Sequence, residues 1–234
     1  PLEADMGTIL RYDEELWRRS DWELFSWNLF PDILVFDFKN YEVQSDFLKR
    51  LAFFVEKDGF AGELHSDEVL DELHGWNAHD YRAEDLAEFF NLAEEKDFEL
   101  NRREQHLAEI LVDNGILSRE GGRYEPVEGG FLSFARESSD RLRYLFAVHE
   151  GYHGLYFSSR EFRRRVASIW NGLSETEKEF WRLFLRWKTY NVGDPYLLEN
   201  EFQAYLMQQD ISHVDTYFKD YTIPRFVRLF PEHE

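Results

Sequence analysis

The feature that most constrains this chain is the pentapeptide His149-Glu150-Gly151-Tyr152-His153, an HExxH pattern. Residues four positions apart lie on the same face of an α-helix, so both imidazoles can bind one zinc ion. Glu150 is rotated by about 100° from His149 and can reach a zinc-bound water without being a ligand. Zinc lowers the pKa of such a water, and Glu150 would accept its proton as the general base during attack on a carbonyl.

The residues around this motif predict a helix that faces the core. Ser138, Ser139 and Asp140 offer N-caps for a helix that runs to about Phe157. One stripe of this helix holds both histidines together with four apolar or aromatic residues, namely Leu142, Leu145, Phe146 and Tyr156. A polar pair on a buried stripe is unusual without a function. A zinc site is therefore favoured over two core histidines that are satisfied by hydrogen bonds.

The choice of metal ligands is restricted because the 234 residues include no cysteine. Disulfides, cysteine-bound zinc and thiol nucleophiles are excluded, and a metal must be held by His, Asp or Glu. The absence of cysteine does not identify the compartment, since proteins without disulfides occur in either redox environment. The compartment therefore stays open, with a location outside the cytoplasm as the favoured hypothesis.

The segment Asn200-Glu201-Phe202-Gln203-Ala204 is the leading source of a third ligand. Glu201 stands 48 residues after His153, near the predicted start of a helix. Together with HExxH, this NExxA segment makes residues 131–213 resemble the gluzincins. Those are zinc metallopeptidases in which a glutamate on a second helix completes the metal site.

The resemblance implies that one catalytic zinc ion is bound by His149, His153 and Glu201, with Glu150 as general base. Glu199 and Asp194 remain rival ligands, although Glu199 lies about 200° around the helix from Glu201. Thermolysin-like members of the group also place an acidic residue four positions after the ligand glutamate, where it supports a metal histidine. Tyr205 occupies that position here, so the supporting carboxylate is not assigned.

Two further expectations follow from the resemblance. Peptidases of this kind bind an extended substrate along a short edge strand before the zinc-binding helix, and residues 131–135 are expected to form either that strand or a core strand. A donor to the oxyanion is also expected. The candidates are Tyr190, Tyr196, His213, Tyr217 and Tyr221, of which Tyr196 and His213 are favoured as catalytic residues.

Charge is distributed unevenly along the chain. The formal net charge of −20 argues against binding to nucleic acid or to anionic membranes. Residues 1–128 carry 32 acidic and 13 basic side chains, whereas residues 129–234 carry 15 and 14. We therefore predict a mainly helical α+β fold in one two-lobed unit. Residues 1–128 would form an acidic N-terminal lobe with a strand at residues 33–38, helices of which one begins at a capping box of Asn101 and Glu104, and a hairpin at residues 116–127 that turns at Gly121 and Gly122. Residues 129–234 would form a zincin-like catalytic region.

A second group of histidines lies in the acidic region. His65, His74 and His79 fall within fifteen residues. The segment 74–80 is open to interpretation as a second metal site or as a loop of the substrate cleft. A turn whose His and Asn side chains cap neighbouring helices is favoured over both.

These features predict a zinc-dependent metallopeptidase with its cleft between the two lobes. An acidic lobe at the cleft would favour basic or neutral peptide substrates. Two alternatives stay open: a noncatalytic zinc-stabilised protein-binding module, closed by a fourth protein ligand, and a zinc hydrolase of a non-peptide amide or ester. The enzyme is favoured over the module because a purely structural site does not need Glu150.

Overall fold

The computed structural model describes residues 1–229, apart from the side chains at positions 221, 226 and 229. Within that range the strands are, in chain order, β1 (Leu2–Ala4), β2 (Trp22–Trp27), β3 (Phe30–Phe38), β4 (Ala78–Arg82), β5 (Leu117–Glu120), β6 (Arg123–Pro126) and β7 (Gly130–Ala135). Five of them form one mixed sheet in the order β1-β2-β3-β7-β4, and β5 and β6 form a separate hairpin.

Helices make up most of the remaining regular structure, so the predicted mainly helical α+β class is confirmed. In chain order they are α1 (Met6–Arg11), α2 (Tyr41–Glu56), α3 (Asp67–Leu70), α4 (Ala83–Glu95), α5 (Arg102–Asp113), α6 (Asp140–Ser158), α7 (Arg160–Gly172), α8 (Glu175–Trp187), α9 (Pro195–Met207), α10 (Ile211–Thr216) and α11 (Ile223–Leu229). A 3₁₀ turn at Glu14–Leu16 and a π-helical turn at Tyr217–Thr222 complete the set. Among the described residues, no helix has both the length and the apolar character needed to cross a bilayer.

Helices cover both faces of the sheet. Alternate residues of a strand point to opposite faces, and in β3 Leu34 and Phe36 belong to a buried cluster with side chains of α2, α4 and α5. Ile33 and Val35 belong to another cluster, which includes residues of α1 and α6. A third cluster joins α6 to α7, α8 and α9. Helix α6 therefore lies between the sheet and the C-terminal helices.

The strand before α6 is an interior strand, so the expectation of an edge strand at residues 131–135 was wrong. β7 pairs in parallel with β3 on one side and antiparallel with β4 on the other. The edge strand on this side of the sheet is β4. It can approach β7 closely because Gly130 has no side chain: a Cβ there would lie 2.1 Å from the carbonyl oxygen of Tyr81. The alternative of a core strand at 131–135 is the correct one.

The predicted strand at residues 33–38 and the predicted hairpin at 116–127 are both present, in β3 and in β5–β6. The expected boundary between residues 128 and 129 falls between β6 and β7. Because β7 lies between β3 and β4, both regions of the chain contribute strands to the same sheet.

Helix α6 is held against the sheet by close packing and by a buried ion pair. A Cβ at Gly154 would lie 2.8 Å from Cδ1 of Ile33, so a larger residue would push the helix away. Near the start of α6, Nη2 of Arg143 lies 3.0 Å from Oδ1 of the fully buried Asp37 on β3. These contacts set the position from which the two histidines of α6 face α9.

Candidate metal centre

Two helices bring together the three residues predicted to hold a metal. Nε2 of His153 lies 3.0 Å from Nε2 of His149, its neighbour one turn earlier on α6. It also lies 3.5 Å from Oε1 of Glu201 on α9, whose Oε2 is 3.6 Å from Nε2 of His149. Ligands of a tetrahedral zinc ion are about 3.4 Å apart, given metal–ligand bonds of about 2.0–2.1 Å. The three donor groups therefore fit one coordination shell.

The chemistry of these donors also fits a cation. The exposed fractions of His149, His153 and Glu201 are 8, 1 and 2 %. Oε2 of Glu201 is buried and has no hydrogen-bond partner within the described part of the chain. Burial lowers the pKa of both histidines to about 4, so each is neutral and able to ligate at pH 7. The buried group could hold a metal ion.

The rival ligands Asp194 and Glu199 are engaged elsewhere. Asp194 is the N-cap of α9, and its side chain accepts a hydrogen bond from the backbone N–H of Tyr196 at 2.8 Å. Oε2 of Glu199 accepts from the Tyr156 hydroxyl at 3.4 Å. Glu201 is thus the residue of the three that α9 places beside the histidines.

A neutral amide supports His149 in place of the carboxylate expected from the resemblance. Oε1 of Gln208 lies 2.9 Å from Nδ1 of His149. Since an amide oxygen only accepts, Nδ1 carries the proton and Nε2 keeps its lone pair for a metal. Tyr205 instead packs its ring edge-on against His149, with centroids 4.8 Å apart. The spacing of Gln208 from Glu201, seven residues or two helical turns, is a signal that the sequence does contain.

Asp80 on β4 is a site residue that the sequence analysis did not assign. Its Oδ1 lies 3.6 Å from Nε2 of His153, and with Glu150 and His153 it forms a second group able to hold a cation. A single imidazole nitrogen binds one metal ion at a time, so the two groups cannot hold separate ions through Nε2 of His153. The 74–80 segment, singled out by its histidines, therefore reaches the site through its aspartate.

His74 and His79 of that segment, and the nearby His65, belong to neither of the two candidate metal-binding groups. Nδ1 of His79 lies 3.0 Å from the hydroxyl of Tyr81. The His74 ring stacks on Tyr41, and the His65 ring packs edge-on against Phe60. Among the described residues, these three histidines do not combine into a metal-binding group.

Four carboxylates crowd this buried region. Burial, followed by the charges of Asp80 and Glu201, raises the pKa of Glu150 well above its usual range. Burial and the charges of Glu56 and Glu201 do the same to Asp80. Glu56, at the end of α2, has its pKa raised to about 8 by burial and by Glu201. Carboxylates packed this closely must be neutralised by protons or by a cation, which agrees with a metal at this place.

A cavity of about 380 Å³ lies in front of His149 and Glu150. Of the five candidate oxyanion donors, Tyr190 and Tyr217 line it. The favoured candidates do not: Tyr196 lies under the Arg82 guanidinium, 3.6 Å from its ring centroid, and the exposed His213 contacts Ser212. The side chain of Tyr221 lies outside the described residues.

Comparison of the chain with protein-family models, with curated proteins and with solved structures found no match. The resemblance to the gluzincins rests on the HExxH and NExxA residues. The site is defined by its own geometry: a group from α6 and α9 that could hold a metal ion adjoins Glu150, and its His149 lines the cavity.

Proposed function

We propose that this chain is a zinc-dependent metallopeptidase. One observation carries the proposal: the buried Glu150 adjoins a three-residue metal group at a cavity large enough for part of a peptide. His149, His153 and Glu201 supply three protein ligands, the number typical of catalytic zinc sites, which keep a fourth position open. A bound zinc ion would supply Lewis acidity and lower the pKa of water at that position.

The protein side chains then have separate roles in hydrolysis. Glu150 accepts a proton from the attacking water and returns it to the leaving amine. Tyr190 and Tyr217, whose side chains line the cavity, are the candidates for a donor to the developing oxyanion. Gln208 fixes the orientation of His149 through the hydrogen bond at Nδ1.

Strand β4 offers a binding edge for an extended peptide. Within the described residues it pairs with β7 alone, and Ala78 at its start lines the cavity. An extended substrate would add to this edge through backbone hydrogen bonds. In this proposal β4 takes the role of the substrate-binding edge strand, which was one of the two alternatives for residues 131–135.

A noncatalytic zinc module is the second candidate, and one observation favours it. Oδ1 of Asp80 is 3.6 Å from Nε2 of His153, close to the separation of the Glu201 and His153 donors. If Asp80 closed the coordination shell, a water site would be lost. The cavity beside Glu150 supports the enzyme, because a closed structural site has no use for it.

The test compares the wild-type chain with Glu150→Gln after loading with zinc. Both should bind one zinc ion, measured by plasma mass spectrometry, while the variant should lose hydrolysis of a mixed peptide library by at least about 100-fold. Glu175→Gln, at an exposed position on α8, is the matched control and should keep full activity. Peptide hydrolysis that survives in Glu150→Gln would contradict the general-base role. Zinc binding without any hydrolysis supports the module, and cleavage of esters alone supports the non-peptide hydrolase.

A further inference from the structure

A second cavity, of about 420 Å³, lies on the face of α6 that is turned away from the candidate metal ligands. Its walls come from α6, from α1 and from the adjoining ends of β2 and β3. The volume is within the range of about 300–1,000 Å³ that is typical of small-molecule sites. The residues of α6 that line it form two rows with a spacing of four, Tyr144-Val148-Tyr152 and Ala147-Gly151-Leu155.

The walls of this cavity are mainly apolar or aromatic. The rings of Trp27 and Phe30 pack edge-on with centroids 4.9 Å apart. A Cβ on Gly151 would lie 3.6 Å from Cη2 of Trp27, so the bare backbone of α6 forms part of the wall. Tyr144 is 66 % exposed beside the opening. A concave apolar surface of this kind is typical of a binding site for an apolar ligand.

Arg11 is the only charged residue among the described residues that line this cavity. Its two terminal guanidinium nitrogens lie 3.3 and 3.5 Å from the position that a Cβ would take on Gly7, on the wall formed by α1. Oδ1 of Asp5 lies 3.1 Å from the same point, but this carboxylate accepts hydrogen bonds from the backbone N–H and the hydroxyl of Thr8, at 3.0 and 2.6 Å. Within the described part of the chain Arg11 makes no ion pair. A guanidinium binds a carboxylate through two parallel hydrogen bonds, so an anionic group on the ligand matches this wall.

The polar groups of the cavity favour an alkyl chain over a peptide. Nε1 of Trp27 is buried and has no hydrogen-bond partner among the described residues, which indicates room for one acceptor. The strand ends that reach the cavity already pair with each other, Trp27 opposite Phe30. A peptide carries an N–H and a carbonyl at each residue, and these groups need partners. An alkyl chain carries none.

We propose that this cavity binds a free long-chain carboxylate, a fatty acid, with its alkyl chain along α6 and its carboxylate on Arg11. Tyr144 and Leu155 mark the ends of the α6 wall, which is therefore about 16 Å long. An extended alkyl chain advances about 1.3 Å per carbon, so about twelve carbons span the wall. The site is independent of the proposed peptidase function, because none of the candidate metal ligands lines it.

Isothermal titration calorimetry on the full chain tests the proposal. The probes are dodecanoate, dodecanol and dodecyltrimethylammonium, each below the concentration at which it forms micelles. Dodecanoate should bind with a stoichiometry of one and at least about tenfold more tightly than dodecanol, since only the carboxylate pairs with a guanidinium. Shortening the acid by two carbons should weaken binding by about tenfold, because less apolar surface is buried.

Substitutions then assign the carboxylate and the chain to their walls. Arg11→Met should bring the affinities for dodecanoate and dodecanol to within about twofold of each other. Arg123→Met, which removes an exposed arginine paired with Glu95 on the far hairpin, is the matched control and should keep the preference. Leu10→Trp and Leu155→Trp fill the cavity from α1 and from α6, and each should weaken binding of both dodecyl probes by at least about tenfold.

Several results would overturn the proposal. They are equal affinities for dodecanoate and dodecanol in the wild-type chain, tighter binding of dodecyltrimethylammonium, a preference that survives Arg11→Met, and binding of several equivalents. Undiminished binding in a folded tryptophan variant, verified by circular dichroism, would overturn it too. If neither tryptophan variant folds, the comparison at the exposed Arg11 still decides. Self-association in sedimentation experiments without any binding of dodecanoate would assign the surface to a second copy of the chain instead.

Discussion

Nδ1 of His149 and Oε1 of Gln208 lie 2.9 Å apart across the contact between α6 and α9. The hydrogen bond sets the tautomer of the imidazole and directs Nε2 toward His153 and Glu201. A neutral amide withdraws the Nδ1 proton less strongly than a carboxylate would. The site therefore combines three buried carboxylates and the half-buried Asp80 with a comparatively weakly polarised His149.

Removing this hydrogen bond should weaken zinc binding while leaving the ligands in place. We expect Gln208→Leu to lower zinc affinity by about 10- to 100-fold, measured by competition with a chromophoric chelator. Gln208→Glu should bind zinc at least as tightly as the wild type, because a carboxylate is a stronger acceptor. Gln105→Leu, on the exposed side of α5, is the control. Unchanged affinity in Gln208→Leu would show that His149 is oriented by packing alone.

A pair of substitutions on α9 tests the third ligand. Glu201→Ala removes a donor that lies within 3.6 Å of both histidines, so zinc affinity should fall by at least about 100-fold, more than for loss of an outer hydrogen bond. Glu199→Ala, two residues earlier, removes a carboxylate that contacts the Tyr156 hydroxyl, and this variant should bind zinc normally. The reverse pattern in a chelator titration would move the third ligand to Glu199.

Two glycines provide a matched pair for the packing around β7. Gly129 has a φ of 74°, and a Cβ there would lie 1.9 Å from the carbonyl oxygen of Asp32. We expect Gly129→Ala to lower the free energy of unfolding by at least about 2 kcal/mol, measured by urea denaturation. Gly172→Ala, at the end of α7 with open space around it, should be neutral or stabilising by up to about 1 kcal/mol. Equal effects would contradict the close approach of β7 to β3.

Acid should destabilise the zinc-free chain through His79. Burial, and then the charge of Lys57, lower the pKa of His79 to about 3, below the value of about 6.5 of an exposed histidine. Between pH 3 and 6.5 the folded state thus binds fewer protons than the unfolded state. The stability of the folded chain is therefore unaffected by protonation of His79 above pH 6.5 and declines as the pH falls toward 3. The slope is up to about 1.4 kcal/mol per pH unit.

The variant His79→Gln should reduce the pH dependence, as measured by urea unfolding at pH 7 and at pH 5. His149 and His153 add slopes of the same sign in the absence of metal, since burial lowers the pKa of both. The variant should therefore lose only part of the total. An unchanged difference between the two pH values would contradict the burial of a neutral His79.

Local patterns accounted for several elements of the fold. The capping box at Asn101 and Glu104 correctly predicted α5, and the adjacent glycines 121 and 122, both with positive φ, correctly predicted the turn between β5 and β6. β2 was missed because five of its six residues are buried. A strand covered on both faces lacks the alternation that identifies one. The five residues of β4 were missed because they run directly into α4.

The sequence alone determined the chemistry of the candidate site. Without cysteine, the donors had to be His, Asp or Glu, and the four-residue spacing of His149 and His153 on a helix aligned two of them. The helical period also places Glu199 about 200° around α9 from Glu201, so the two carboxylates cannot face the same side. Such properties depend on the repeat of one helix and need no knowledge of the rest of the chain.

Only the tertiary structure decided which other groups meet at the centre. Asp80 reaches His153 because β4 pairs with β7 in a register that places Asp80 opposite Leu132. Glu56 lies at the end of α2, and Lys188 follows the end of α8. Hydrogen bonds between residues more than a hundred positions apart in the chain join these two helix ends. Such contacts depend on sheet register and helix packing, which are set by the burial of the whole core and leave no periodic signal in the residues that meet.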